Sequence, residues 1–153
     1  MTLAKERTLT TATVSHPLEP LTPEEMTAAV RIVREQKSLT DSVRFVSVSL
    51  KEPAKETVLA FKKGDVIARE AFIILLDNAT ARTYEAVVAL GKSIITAWDY
   101  IPNVQPSIML DEFVECEEAV KASPDFQAAI AKRGITDPDL VMVDPWSAGN
   151  YGI

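Results

Sequence analysis

One cysteine, one histidine and 22 carboxylates bound the acid–base and nucleophilic chemistry open to these 153 residues. Cys116 stands in "FVECEEAV", beside Glu115, Glu117 and Glu118. Reactive thiols sit in electropositive surroundings, so this cysteine reads as structural, and a lone cysteine also excludes an internal disulfide. His16, in "TVSHPLEP", precedes the first periodic segment; alone it can neither complete a catalytic triad nor ligate a transition metal. The carboxylate pairs Glu24–Glu25, Asp111–Glu112 and Glu117–Glu118 are sequence neighbours. On a helix such neighbours point apart, so they read as solvated faces rather than acid–base couples. Gly64, Gly91, Gly134, Gly149 and Gly152 form no phosphate-cradling loop. The aromatics Phe45, Phe61, Phe72, Trp98 and Tyr100 fall in strand-like stretches and read as core. Trp146 differs: it follows the strand-breaking Asp144–Pro145 and precedes Ser147-Ala148-Gly149, on a turn where it either plugs a core edge or lines a cavity or subunit contact.

The elements that must position these residues are legible from period and punctuation. Residues 1–19 show no sustained period and read as a flexible leader. Residues 21–37, "LTPEEMTAAVRIVREQK", carry a helix start: Thr22 as cap, Pro23 in the first turn, Glu25 three residues after Thr22, and Leu21 and Met26 placed for a hydrophobic staple. Met26, Ala29, Val30 and Val33 are expected to face a core. Strands are expected at 42–50, with Val46, Val48 and Leu50 on one face, at 56–63, and at 69–77 as a run covered on both faces. Two more flank Gly91. One helix on four or five antiparallel strands is an α+β unit, assigned to residues 20–101. After the proline-rich "PNVQPS" (102–107) the pattern restarts: an acidic helix through Leu110, Phe113, Val114, Glu117 and Val120, a second helix capped by Ser123, Gly134 to end it, and a strand at 140–143. A lone strand makes no domain. Either it joins the first unit's sheet, or the unit at 102–153 is truncated.

The 47% hydrophobic and 25% charged composition is that of a soluble globular protein. Net charge is −6 and the pI about 4.8, with no massed basic stripe, which argues against a nucleic-acid partner. No leader peptide and no membrane-length apolar run is visible, so a cytoplasmic or otherwise soluble location is expected.

"KRGITDPDLVMVDPWSAGNYG" (132–152) resembles the third domain of copper-containing primary-amine oxidases, and "HPLEPLTPEEMTAAVRIVRE" resembles the start of that family's second domain. The resemblance implies two cystatin-like α+β units, each a helix packed on an antiparallel sheet, the second incomplete. It also implies a parent homodimer that oxidises primary amines to aldehydes, releasing ammonia and hydrogen peroxide. Copper held by three histidines and a tyrosine-derived topaquinone would lie in a carboxyl-terminal catalytic domain absent from this sequence. Tyr151 in "NYGI" lacks the acid and second tyrosine of the quinone motif. On this reading the chain alone is not an enzyme, binds no cofactor or metal, and has no catalytic residues. Phe113, Pro145 and Trp146 would line the substrate-channel mouth. The alternative is an independent cystatin-like binding or dimerisation module without enzyme activity.

Overall fold

A computed structural model describes residues 16–146; the leader at 1–15 and the tail at 147–153, Tyr151 included, lie outside the described residues. Contacts divide the chain into two compact units, meeting between Pro106 and Ser107.

In the first unit, helix α1 (Pro23–Lys37) starts on the expected box: Glu25 N–H donates to Thr22 Oγ1 at 3.2 Å, and Thr22 N–H donates to Glu25 Oε2 at 2.9 Å. It ends at Ser38, held in the left-handed region at φ 49°. Strands β1 (Val43–Lys51), β2 (Glu70–Asp77), β3 (Arg82–Ala89) and β4 (Ile94–Ile101) form one antiparallel meander in sequence order. Ala29, Ile32 and Val33 of α1 pack with Ala71, Ile73, Leu75, Ala86 and Val88 of the sheet, so the α+β expectation holds here. Each of the three helix residues is at most 2% exposed.

Four details depart from the sequence reading. The buried stripe of α1 is Glu25, Ala28, Ala29, Ile32 and Val33; Met26 is exposed and Val30 half-buried. The stripe takes in Glu25, which has a buried partner in Arg69. In β1, a bulge between Phe45 and Ser47 inserts Val46 as an extra residue, which puts Phe45 rather than Val46 in the row with Val48 and Leu50 against the core. Strand β2 is fully covered on one face only, since Ala71, Ile73 and Leu75 are buried whereas Phe72 and Ile74 are half-buried. Residues 55–60, expected in a strand, form helix α2 (Lys55–Ala60). Six residues are too few to display a helical period that could be told from a strand in the sequence.

Residues 16–22, partly assigned to the leader, are anchored at two positions, with Pro17 fully buried and Leu21 only 8% exposed, while the other five are exposed. At the other end of the unit, Thr83 Oγ1 donates to Val104 O at 3.0 Å, so residues 102–106 stay on the sheet's margin.

The second unit holds helix α3 (Leu110–Ala122) and helix α4 (Pro124–Ala131). Glu112 folds back to accept Met109 N–H at 2.7 Å and caps α3. Ser123 precedes α4 at the cap position but its hydroxyl makes no capping bond; Pro124 occupies the first turn. Arg133 Nη1 donates to Ala129 O at 2.7 Å, a cation on the helix carboxyl end as expected. The strand expected at 140–143 is absent. A 3-10 turn spans Pro138–Leu140, and the backbone then runs extended, with Val141 at φ −114°, ψ 125°. Exposure alternates from Leu140 to Trp146 with period two. This is strand geometry, with no ladder assigned to the segment among the described residues.

Candidate functional site

The extended segment positions two of the three candidate channel residues. Its alternation turns Val141, Val143 and Pro145 to the half-buried side and Leu140, Met142, Asp144 and Trp146 to the open side. Trp146 is 84% exposed, and its Nε1–H donates to Asp144 Oδ2 at 2.8 Å. The indole is thereby held beside a carboxylate, a pairing able to attract an organic cation through charge and ring face together. Phe113 sits on α3, half-buried, in the helical row with Cys116, Glu117 and Val120. Among the described residues, no ring contact or hydrogen bond joins Phe113 to Pro145 or Trp146.

Lys121 anchors the loop before the extended segment. Its ammonium lies 2.8 Å from Glu117 and 3.5 Å from Asp139. The Glu117 hydrogen bond first, and then the charges of Glu117 and Asp139, hold the Lys121 pKa above the usual lysine value against partial desolvation. A 3-10 turn in which Asp137 accepts Asp139 N–H at 3.0 Å completes the connection.

The strongest electrostatic cluster was invisible in the sequence. Arg69 and Glu25, 44 positions apart, form a two-point buried pair with Nε–Oε1 at 2.6 Å and Nη2–Oε2 at 2.9 Å. Their side chains are 6% and 12% exposed. Glu25 is therefore no solvated-face carboxylate. Burial alone would raise its pKa, but the Arg69 hydrogen bond, the Thr22 N–H and the Arg69 charge together hold it below the usual value. The only advance signal was the capping box, which fixed the orientation of Glu25 without revealing its partner.

The first unit also has an open groove of about 570 Å³ along α2, lined by Glu56, Phe61, Asp65 and Ile67 among others. The sheet aromatics carry cations: Lys37 lies over Trp98 at 4.7 Å and Arg82 over Tyr100 at 5.6 Å, while Tyr84 stacks on Trp98 at 5.1 Å. Trp98 packs against the core as expected, and Phe45 does so because of the bulge that follows it, whereas Tyr100, also expected in the core, is 51% exposed.

His16 cannot supply the three-histidine copper set that the resemblance implies. Among the described residues no group of three or more His, Cys, Asp or Glu is placed to hold a metal, so the donors present do not fit that ion. No helix among the described residues is long and apolar enough to cross a membrane.

Two family models match the chain in succession: "AGAO-like N2 domain" over residues 22–97 and "Copper amine oxidase, N3 domain" over residues 111–153. A primary amine oxidase of Arthrobacter sp. (strain P1) is 47% identical over 140 residues, covering 91% of this chain and 21% of that protein. A copper-containing diamine oxidase of Nicotiana tabacum is 34% identical, with 94% and 23% covered. A histamine oxidase of Arthrobacter globiformis is 35% identical, with 94% and 21% covered. The chain thus spans about a fifth of the length of these relatives. The solved structure of a copper-containing benzylamine oxidase from Hansenula polymorpha superposes with a TM-score of 0.68 at 16% identity, over 78% of this chain and 20% of that one, which supports the fold.

Proposed function

The chain belongs to the copper amine oxidase family, whose N2 and N3 domains it carries, and on that premise we propose that it is a non-catalytic portion of a quinone-dependent primary-amine oxidase. The parent reaction is the oxidative deamination of a primary amine to an aldehyde, ammonia and hydrogen peroxide. Copper and topaquinone belong to a separate carboxyl-terminal domain, which is this chain's principal partner within a homodimeric parent. The N2 unit serves as scaffold, and the N3 unit contributes the channel mouth, with Phe113, Pro145 and Trp146 in its wall.

The observation that carries the channel reading is the exposed indole of Trp146 fixed 2.8 Å from the Asp144 carboxylate. A protonated amine with an apolar body is drawn to both partners, and covering that body contributes roughly 25 cal/mol per Å² of apolar surface. In a full-length oxidase carrying these domains, Trp146→Ala is expected to raise KM for an aromatic amine several-fold with kcat near the parent value, as loss of uniform binding requires. An unchanged KM removes Trp146 from the channel. The non-catalytic reading is tested separately: the purified chain, supplied with copper(II) and benzylamine, is expected to produce no amine-dependent peroxide, and peroxide above the buffer level overturns it.

A second reading, an independent binding or dimerisation module, draws support from the first unit. It closes its own core, and among the described residues no buried side-chain polar atom lacks a partner.

A further inference from the structure

Residues 16–22 have no regular structure beyond a turn closed by Glu19 N–H on His16 O at 3.0 Å, yet they are anchored on the first unit with Pro17 fully buried. What fastens them comes from the start of β2. Arg69 Nη1 donates to Glu19 O at 3.1 Å, and Nη2 donates to Pro20 O at 2.9 Å. The same guanidinium takes both oxygens of Glu25 on α1, and Glu25 Oε2 in turn accepts Thr22 N–H. Arg69 is itself fixed from behind, since its carbonyl accepts Leu90 N–H at 3.1 Å at the end of β3. One side chain thus joins the strip, the helix start and the sheet. At the strip's outer end, His16 Nδ1 accepts Leu18 N–H at 3.2 Å, and the imidazole meets Phe61 edge-on at 6.1 Å.

We propose that residues 16–21 are a strap, fastened by the Arg69–Glu25 clasp, that opens as a unit while α1, with Thr22 as its cap, and the four-stranded sheet stay folded. Two observations set the strap apart from the body it lies on. Of its residues only Leu21 belongs to the core cluster, whose other members come from α1, the sheet and the turn after β3. The strap also takes no part in the strand ladders, so its release breaks none of them. Segments with few buried apolar contacts open at lower free energy than the core. The guanidinium is placed to act on that free energy, because it bonds Glu19 O and Pro20 O of the strap's backbone from the residue that leads into β2. Thr22 and Glu25 cap α1 reciprocally without Arg69, so the helix keeps its start when the clasp is open.

Native-state amide hydrogen exchange on the whole 153-residue chain tests this. Arg69→Met is expected to lower protection at the Leu18 and Glu19 amides, both hydrogen-bonded to His16, by about a hundredfold or more, as loss of one partner of a buried pair implies. Protection at Ile73, Leu75 and Ala86 should stay within a few-fold of the parent chain. Because Arg69→Met leaves a lone buried carboxylate, the double variant Glu25→Met with Arg69→Met is measured beside it. That variant removes the charge penalty but still lacks the bonds to Glu19 O and Pro20 O, so the strap should remain open in it. Equal loss of protection in strap and central strands would show a single cooperative unit and overturn the proposal. A protected strap in the double variant would overturn it as well.

Discussion

At the scale of single residues, the carboxylates diverge according to what the fold places opposite them. Glu25 is more acidic in the folded chain than the ordinary glutamate value of 4.5. A lowered folded pKa means the unfolded chain binds the proton more tightly. The pair therefore adds stability that is fully present above about 4.5 and is lost as pH falls through the lowered folded value. The difference in urea midpoint between the parent chain and Glu25→Gln should be largest near neutrality and shrink on acidification below that point; a difference independent of pH contradicts the assignment. Asp77 shifts in the same direction for another reason, since Thr80 and Ser42 hydroxyls and Ala79 N–H donate to it in the turn joining β2 to β3. None of these partners could be ranked from sequence. Arg69 is one of several scattered cations there, and only the tertiary fold brings it to Glu25. The large apolar core residues of β2 were legible as a continuous apolar run, which did not show which face is the more deeply buried. Leu75, fully buried, should cost about 2–5 kcal/mol on conversion to alanine, read from denaturant unfolding.

Elements were legible where their signals are local. The Thr22–Glu25 box spans four residues, so it is legible in the sequence without any tertiary contact. Thr22→Ala should lower stability by about 1 kcal/mol, with the denaturant slope unchanged; a loss below a few tenths would mean that the Glu25–Arg69 pair alone holds the helix start. Strands β2, β3 and β4 were legible too, being long, apolar and bounded by turn residues. Failure came where identity depends on a partner. Strands were expected at 56–63 and 140–143, yet residues 55–60 form a helix and the second segment is extended with no ladder among the described residues, because pairing depends on residues distant in sequence that a local pattern does not reveal. The bulge at Val46 belongs to the same class of error, since one extra residue moves every later side chain to the opposite face.

At the scale of the whole chain, the two units differ in how well they close. The first has a core of eleven buried residues. In the second, Ile130 is the one buried hydrophobic among the described residues, while Leu110, Leu140, Met142 and Trp146 are each at least 78% exposed. An open apolar surface of this kind is typical of interaction sites, and it supports the proposal that the chain is part of a larger oxidase over that of a self-sufficient module. The native chain should therefore bind a hydrophobic dye and self-associate as its concentration rises. Leu140→Lys combined with Met142→Lys should suppress both effects without moving the unfolding midpoint of the first unit, because these side chains are already in water and exposed substitutions cost little, about 0.5 kcal/mol or less. Dye titration, sedimentation and far-ultraviolet melts on the same samples decide the matter. A parent chain that is monodisperse, binds no dye and melts in one sharp transition favours the independent module, and would require the exposed row from Leu140 to Trp146 to be explained without a missing partner.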